Sequence, residues 1–197
     1  MKAERIAALP LLASVVLVAA CNFGRVEQGR VIRYDAAQGT ITLLREAQPA
    51  RAGAMRYFLP PVTVRIPRQP ADMGPAPLAG KVLAVNAAEN SVLVFDDDTR
   101  AVKTIPVAAV HEEKGVLPGD PRVAAVIFPV VNASDRKITV YLGRERKLLT
   151  LQVAEEQLRL AADTWAIGDD VRYYYKDPGQ ALRLMNVTRT DLAKGEH

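Results

Sequence analysis

The chain has 197 residues, of which 49% are hydrophobic, and its formal net charge at pH 7 is +4. This length suits one sizeable domain or two small ones, and the hydrophobic fraction is enough for a core, which excludes a wholly disordered chain. Cys21 is the only cysteine, so the chain cannot form an internal disulfide. A charge this small favours an ordinary solvated surface over one that binds nucleic acid.

The first twenty residues have the layout of a secretory signal peptide. Lys2 and Arg5 give a basic start, residues 6–20 carry no charge, and small residues precede Cys21. A basic segment, an apolar segment and a small-residue cleavage site in this order are typical of a signal that is removed on export. The apolar run is shorter than the roughly 20 residues that a membrane-spanning helix needs. We therefore predict a cleaved signal over residues 1–20.

The residues at the predicted cleavage site are Val18-Ala19-Ala20-Cys21, and they resemble the lipobox of bacterial lipoproteins. In that family the cysteine sulfur receives a diacylglycerol, the signal is cut directly before the cysteine, and the new amine is usually acylated, for example with palmitate. The resemblance implies that Cys21 is the lipidation site. It also implies stable membrane anchoring, because one acyl chain holds a protein only marginally whereas two hold it firmly.

The alternative for Cys21 is a free or buried thiol, but its place directly after a signal-like segment favours lipidation. Asn22 follows the cysteine, and by resemblance to bacterial sorting rules this residue implies the outer membrane, on the side that faces the periplasm. In the cell envelope, anionic lipid headgroups or cell-wall polymers would suit a mildly positive chain, although we favour a plain solvated surface.

A β-hairpin pattern recurs at a fixed offset of 51 residues. The sequence reads GRVIRYDAAQGTITLL from Gly29 and GKVLAVNAAENSVLVF from Gly80. In both copies an Asp or Asn starts the turn and can bond the backbone ahead, and a Gly or Asn four residues later accepts a left-handed backbone. These turn positions are Asp35 and Gly39 in the first copy and Asn86 and Asn90 in the second. An internal duplication accounts for the match better than a coincidence of common turn types.

A weaker third copy runs from Val126 to Tyr141, with Asn132 at the first turn position. Arg136 stands where the other two copies have a residue suited to a left-handed backbone. We therefore expect this third turn to differ from the others or to be strained.

Apolar and polar residues alternate over 137–142, 149–153 and 171–176, which predicts half-buried strands. Val123–Phe128 is apolar on both faces and is predicted as a central, doubly covered strand. Helix is expected to be scarce, with short candidates at residues 107–113 and 154–160.

Gly-Asp pairs precede two further strands, at Gly119-Asp120 and Gly168-Asp169, where a turn launches the next strand. With the hairpins, this layout over residues 80–189 resembles small periplasmic β-barrels of the OB-like type. Most of the chain also resembles uncharacterised lipoproteins of sulfate-reducing bacteria, which implies no function. The expected fold is all-β and mainly antiparallel, with two or three related β-hairpin/OB-like modules packed as one or two small barrels and little helix.

Proline content suggests how the chain is divided. Six of the thirteen prolines lie between Pro60 and Pro77, and proline suits linkers and sheet edges because it removes a ladder donor. The predicted parts are a signal peptide (1–20), a tether (21–28), a first β-hairpin module (29–67), a Pro-rich linker (68–79), OB-like β modules (80–189) and a flexible tail (190–197).

No metal site is predicted. The two histidines, His111 and His197, are far apart in sequence, and the one cysteine is assigned to lipid, so no Cys/His ligand set remains. Residues 96–98 are three consecutive aspartates that point in different directions, which suits a solvated hairpin tip better than calcium. OB-like periplasmic domains sometimes bind copper through Met, His and Trp, but for Trp165 and Met185 packing in the core or at its rim is favoured.

No catalytic residue or cofactor is predicted either. After the signal segment the only serines are Ser91 and Ser134, both in hairpin turns and neither in a nucleophile-elbow pattern. The adjacent Glu155 and Glu156 are expected to face solvent, although a carboxylate pair for glycoside cleavage stays open at this point. Gly-rich phosphate loops are absent.

The candidate partner-binding residues are Arg172, Tyr174 and Lys176, which alternate along one predicted strand. A basic, aromatic strand face is how some OB-like domains bind polymers, and in the envelope the polymer would be a glycan. The alternative is purely structural: Tyr173 and Tyr175 belong to the core, and Tyr174 packs under Arg172.

The sequence thus predicts a membrane-anchored envelope lipoprotein with a non-enzymatic scaffold or binding role for a protein or glycan partner. One alternative is a carrier of a small ligand or metal that uses a β-barrel pocket, and the least favoured is an unrecognised hydrolase. A carrier requires a closed barrel with a cavity or clustered Met and Trp, whereas a scaffold requires an exposed edge strand or apolar patch.

Overall fold

The computed structural model describes residues 23–47 and 57–190, which form an all-β body. Its strands are β1 (Arg25–Asp35), β2 (Thr40–Glu46), β3 (Tyr57–Arg65), β4 (Val82–Asn86), β5 (Ser91–Asp96), β6 (Ala101–Pro106), β7 (Ala109–Lys114), β8 (Val130–Asn132), β9 (Lys137–Leu142), β10 (Lys147–Gln152), β11 (Asp170–Tyr175) and β12 (Ala181–Asn186). Helical structure in this part of the chain is limited to short 3-10 helices at Pro70–Asp72, Glu155–Arg159 and Ala162–Thr164. The predicted all-β class with little helix is confirmed.

The strands form three sheets in which every ladder is antiparallel. Sheet I has the strand order β12-β11-β1-β2-β3, sheet II has β4-β5-β6, and sheet III has β7-β10-β9-β8. None of the three sheets, as far as the described residues go, closes into a barrel, so the expected packing into small barrels is corrected.

Sheet I comes close to closure without reaching it. The last residue of β3, Arg65, makes a single bridge with Gln180, which directly precedes β12. The Arg65 amide donates to the Gly179 carbonyl at 2.9 Å. One bridge between the two edge strands is not a ladder, so sheet I remains a curved, open sheet over its own core.

The sheets do not follow the predicted division of the chain. Strands β11 and β12, which were assigned to the second module, pair with β1 and complete sheet I. Residues 25–28, expected in the tether, are part of β1, because Arg25 already lies opposite Tyr175. The Pro-rich segment runs beside β12, where Met73 bridges Leu184. Pairing between residues this far apart in sequence leaves no local signal, so the strand order of sheet I could not be predicted from the sequence.

The predicted hairpin repeat is present in the structure. In the β1–β2 hairpin Asp35 pairs with Thr40, and in the β4–β5 hairpin Asn86 pairs with Ser91, which is the same register at the offset of 51. Both hairpins also have a β-bulge at the same place, after Val31 in the first and after Val82 in the second.

The turn of the third copy, between β8 and β9, does not differ from the other two. Arg136 has a φ of +53°, in the same left-handed region as Gly39 at +62° and Asn90 at +46°. The Arg136 carbonyl accepts the Val153 amide at 2.9 Å, as the Gly39 carbonyl accepts the Ile66 amide at 2.9 Å. The closing strand thus holds the left-handed residue in place, and the loop geometry prevails over the preference of arginine.

Sheet II is the middle layer of the body. Along β5, Val92 and Val94 pack toward sheet III, whereas Leu93 and Phe95 pack toward sheet I. Alternation in β9, β10 and β11 follows the prediction, with one face of each strand buried. The core between sheets II and III contains Val82, Val92, Val94, Val107, Ile138, Val140, Leu142, Leu149, Leu151, Val153 and Trp165.

The contact between sheets I and II joins equivalent residues of the two hairpin copies. Ile32 and Leu83 lie at the two bulges, and Leu44 and Phe95 lie near the ends of the second strands. All four side chains form one buried cluster. The two copies therefore pack on each other through the same positions, like the matching surfaces of a two-fold dimer.

Two elements predicted from the sequence, a central strand and a helix, do not form. Residues 123–128 form turns and coil instead of a central strand, and Ile127 is 91% exposed. Pro121 and Pro129 flank this segment, and proline opposes a central strand because it cannot donate to a ladder. The helix expected at 107–113 is instead mostly strand β7, whereas the one expected at 154–160 is the 3-10 helix Glu155–Arg159.

Candidate functional site

The outer face of sheet I carries two of the three predicted partner-binding residues. Arg172 and Tyr174 lie on the outer side of β11, whereas Lys176 follows the end of that strand and is exposed. The Arg172 guanidinium donates to Gln28 Oε1 from Nη2 at 2.9 Å and from Nε at 3.2 Å. Tyr174 lies over Gly24, where an added Cβ would overlap its ring.

Neighbouring strands add residues to this face that the sequence did not reveal. Val26 on β1 and Arg183 on β12 lie directly opposite Tyr174 on either side, and Met185 lies opposite Arg172. Only the strand order brings them together, so no sequence pattern could have found them. The result is a surface that is both cationic and apolar.

The inner side of the same strands holds a carboxylate in place. Tyr173 donates its hydroxyl to Glu27 Oε2 at 2.6 Å, and Tyr175 donates to Glu27 Oε1 at 3.0 Å. Arg45 Nη1 donates to the same Oε1 at 3.2 Å. Partial burial alone would raise the pKa of Glu27, but the two hydroxyls and the guanidinium outweigh it, so the pKa is lowered. Both tyrosines are buried, as predicted, and tie β11 to the start of β1.

A buried ionic centre joins sheets I and III, and it consists of Arg30, Glu46, Arg144 and Asp170. Arg30 and Asp170 are 3% and 1% exposed, and the guanidinium donates to both carboxylate oxygens, at 2.6 and 3.1 Å. Arg144, in the β9–β10 turn, donates to Asp170 at 3.2 Å and to Glu46 at 3.1 Å. Burial alone would lower the pKa of Arg30, but the Asp170 carboxylate reverses this, so the pKa is raised.

Tyr57 extends this centre toward sheet II. Its hydroxyl donates to the Leu83 carbonyl at 3.2 Å. Burial, helped by the Asp170 and Glu46 carboxylates and opposed by the Arg30 charge, raises the pKa of Tyr57 to about 12. The tyrosine is therefore neutral at physiological pH and acts as a hydrogen-bond donor.

The Gly168-Asp169-Asp170 segment has a larger role than the turn that the sequence predicted. Asp169 Oδ2 accepts the Leu78 amide and the buried Asn186 side chain, both at 2.8 Å. An added Cβ at Gly168 would overlap the Val31 carbonyl oxygen. In the sequence, the signal for this role was the pair of adjacent aspartates before an apolar strand. Their partners are structural, and the arrangement supplies rigidity rather than a reactive group.

Sheet III ends in an exposed apolar edge, at strand β8. The side chains of Val126, Ile127, Val130 and Val131 are exposed there, and we call these four residues the β8 edge patch. Strand β8 pairs with β9 on one side, and no described strand pairs with its other side. Its outer backbone groups therefore face outward together with apolar side chains.

The other candidate residues from the sequence lie in the core, on the outer face of sheet I or in hairpin turns. Trp165 is 1% exposed in the core between sheets II and III, and Met185 belongs to the outer face of sheet I. Asp96 Oδ1 accepts the Thr99 amide at 2.7 Å within a hairpin turn. Ser134 Oγ bonds to Asn132 Oδ1 at 2.8 Å in another turn. No group of three or more potential metal-ligating side chains occurs in the described part of the chain.

Several predictions fall on residues outside the described ranges. These are the signal segment, the lipidation site Cys21, and residues 191–197 of the predicted flexible tail, which include His197. Within residues 23–47 and 57–190 no helix is long and apolar enough to cross a membrane.

One family model matches residues 22–195, and its description reads "Domain of unknown function (DUF4881)". The match covers nearly all of the chain and includes every strand described above. Neither a curated protein nor a solved structure matches the chain.

Proposed function

The chain belongs to this family of domains of unknown function, and we propose, on the layout of its N-terminal sequence, that it is a lipid-anchored lipoprotein of the bacterial envelope. Its proposed role is to bind or scaffold a partner protein without catalysing a reaction. The proposal includes acylation at Cys21 and a location at the outer membrane, facing the periplasm.

The N-terminal layout supports the anchoring. A basic start, an uncharged apolar run and a lone cysteine follow one another in the first 21 residues. Strand β1 begins at Arg25, four residues after Cys21. A lipid on Cys21 would therefore hold the folded body directly beside the membrane, because so few residues reach only about 14 Å.

The β8 edge patch is the observation that carries the binding role. An edge strand with free backbone groups and exposed apolar neighbours is a template for pairing with another chain. Many proteins use such an edge to capture an extended segment of a partner, with the backbone giving affinity and the side chains giving selectivity. A protein segment therefore fits this edge better than a glycan does.

The carrier alternative finds no comparable support. The inner face of sheet I is filled by side chains of its own core, which include Val31, Leu43 and Tyr173. Trp165 and Met185 lie in different places, so they do not form the cluster that a copper site would use.

A crosslinking experiment in intact cells tests the binding role. A photoreactive residue placed at position 127 or 131 should capture the same partner protein, identified by mass spectrometry, whereas one at the exposed Leu160 should not. Val130→Asp should abolish the capture, since it places a charge in the proposed interface. Equal capture at all three positions would contradict the proposal.

Anchoring is tested separately on the full chain. Mass spectrometry should find a diacylated cysteine at the new amino terminus, and Cys21→Ser should leave the protein unprocessed. A Cys21→Ser chain that matures and fractionates like the wild type would refute the anchoring.

A further inference from the structure

The outer face of sheet I is exposed where the folded chain begins. We call it the anchor-side face. It consists of Val26, Arg172, Tyr174 and Arg183 on the paired strands, together with the exposed Lys176 directly after β11 and the exposed Phe23 two residues before β1. Phe23 and Val26 are large apolar residues and are 84% and 62% exposed. Arg172 and Lys176 are exposed beside them.

The cations of this face are poorly neutralised by the protein itself. Arg172 is bonded to the neutral amide of Gln28, and among the described carboxylates none lies within ion-pair distance of Arg172 or Lys176. Arg183 has Asp72 at 3.7 Å, and the arginine side chain is 79% exposed, so that pair is weak. An anionic surface could therefore contact three cationic side chains.

The position of this face along the chain indicates what lies against it. Phe23 is the second residue after Cys21, and this length of chain reaches at most about 7 Å. If Cys21 carries acyl chains, the membrane surface lies within reach of Phe23. The same strands offer less to a sugar, because the Tyr174 ring lies against Gly24 and that part of the ring is not available for stacking.

We propose that the anchor-side face rests on the membrane, with anionic phospholipid headgroups against Arg172, Lys176 and Arg183 and with Phe23 and Val26 in the headgroup boundary. This inference rests on the proposed lipid anchor at Cys21, and it adds a fixed orientation of the body on the bilayer. The combination of basic and bulky apolar residues on one surface is typical of peripheral membrane contacts.

Vesicle binding by the chain from residue 22 onward tests the contact without the acyl chains. All described strands and hydrophobic clusters lie within that piece, so it contains the folded body. It should sediment with phosphatidylcholine vesicles that contain roughly a third phosphatidylglycerol and much less with pure phosphatidylcholine. Binding should weaken as salt is raised from about 0.05 to about 0.5 M.

Two variants with equal charge loss locate the contact. Arg172→Gln, Lys176→Gln and Arg183→Gln together should weaken binding at low salt by more than tenfold, given about fivefold per cation. The matched control changes three cations of other surfaces to Gln. These are Lys114, Lys137 and Arg159, which are exposed. This control should weaken binding by less than about threefold.

A third variant tests the apolar part of the contact. Phe23→Ser with Val26→Ser should also reduce binding to the anionic vesicles, while circular dichroism checks that the sheets are intact.

Three outcomes would overturn the inference. They are equal binding to both kinds of vesicle, equal losses in the face variant and the control, or binding of soluble cell-wall glycan with no binding of vesicles. Each is distinguishable from failure of the anchor, because this piece lacks Cys21 and acylation is measured on the full chain.

Discussion

Asp170 accepts hydrogen bonds from two guanidinium groups that differ in their access to water. Arg30 is enclosed in the core, whereas the Arg144 side chain is 38% exposed at the edge of the centre. Removal of the Asp170 carboxylate would leave the buried Arg30 charge without its partner, whereas the Arg144 charge would remain in contact with water. The two contacts therefore contribute to stability very unequally.

We expect Asp170→Asn to lower the free energy of unfolding by about 3–5 kcal/mol, because it strands the Arg30 charge in the core. Arg144→Gln should lower it by about 1 kcal/mol or less. Urea unfolding followed by tryptophan fluorescence measures both, with Asp98→Asn at an exposed hairpin tip as the control. Equal losses for Asp170→Asn and Arg144→Gln would show that the core pair is not the dominant contact.

Glu27 predicts a dependence of stability on pH. Its pKa is lowered in the folded state from an ordinary value of 4.5, mainly by the tyrosine hydroxyls that overcome partial burial. A lowered pKa means that the charged form contributes stability above pH 4.5, and that this contribution is lost as the pH falls through the folded-state value.

The variant Glu27→Gln should therefore be less stable than the wild type at pH 7, and the difference should shrink at about pH 3. Urea unfolding at a series of pH values measures the difference. Glu89→Gln, in an exposed turn, should show a difference near zero at every pH. A Glu27→Gln difference that stays constant down to low pH would contradict the proposed charge effect.

At the scale of elements, the hairpin turns require a left-handed backbone at residues for which the energetic cost of that conformation differs greatly. Gly39 takes it freely, whereas Arg100, Arg136 and Arg146 adopt it against the steric preference of an L-residue. The loop type is shared among these turns, and the left-handed carbonyls of Gly39, Arg136 and Arg146 each accept a backbone amide at 2.9 Å. The residue type is therefore adjustable without a change of fold.

Gly39→Ala should destabilise the protein by about 1 kcal/mol, since its Cβ would meet only Ile66 Cγ1, at an ordinary contact distance of 3.9 Å, and the main change is in the backbone preference. Arg136→Gly should stabilise it by up to about 1 kcal/mol, and Gly119→Ala, where φ is not positive, should have little effect. Thermal unfolding compares the three. A destabilised Arg136→Gly variant would mean that the arginine side chain makes a contribution that the turn geometry does not reveal.

Sequence patterns predicted those parts of the fold that depend on neighbours in the chain. The alternation around Ile138, Leu151 and Tyr173 identified strands and their buried faces, because each strand carries its own period of two. The strand prediction for Val123–Phe128 was wrong, because it considered the apolar composition of the segment and not the prolines that flank it. The Arg30–Asp170 pair joins residues 140 apart, so the buried ionic centre left no trace in local patterns.

At the scale of the whole molecule, sheet I takes strands from both ends of the described chain, and the buried ionic centre ties it to sheet III. Sheet II lies between them and shares a core with each. Sheet I also has a core of its own on its inner face, but the residues Ile32 and Leu44 on its other face share a buried cluster with sheet II. The body should therefore unfold as one unit rather than as the two modules suggested by the Pro-rich segment.

Calorimetry should accordingly show a single transition with equal calorimetric and van't Hoff enthalpies. The variant Asp170→Asn should move that transition to a lower temperature without splitting it. Two resolved transitions in the wild-type protein would restore the two-module interpretation.

The pairing of β1 with β11 has a consequence for how the protein is made. During synthesis the ribosome releases β1 early and β11 only near the end. Sheet I therefore cannot be completed until most of the polypeptide is already outside the exit tunnel. Until then the core of sheet I is unfinished, and strands that are still unpaired can be threaded through a narrow pore.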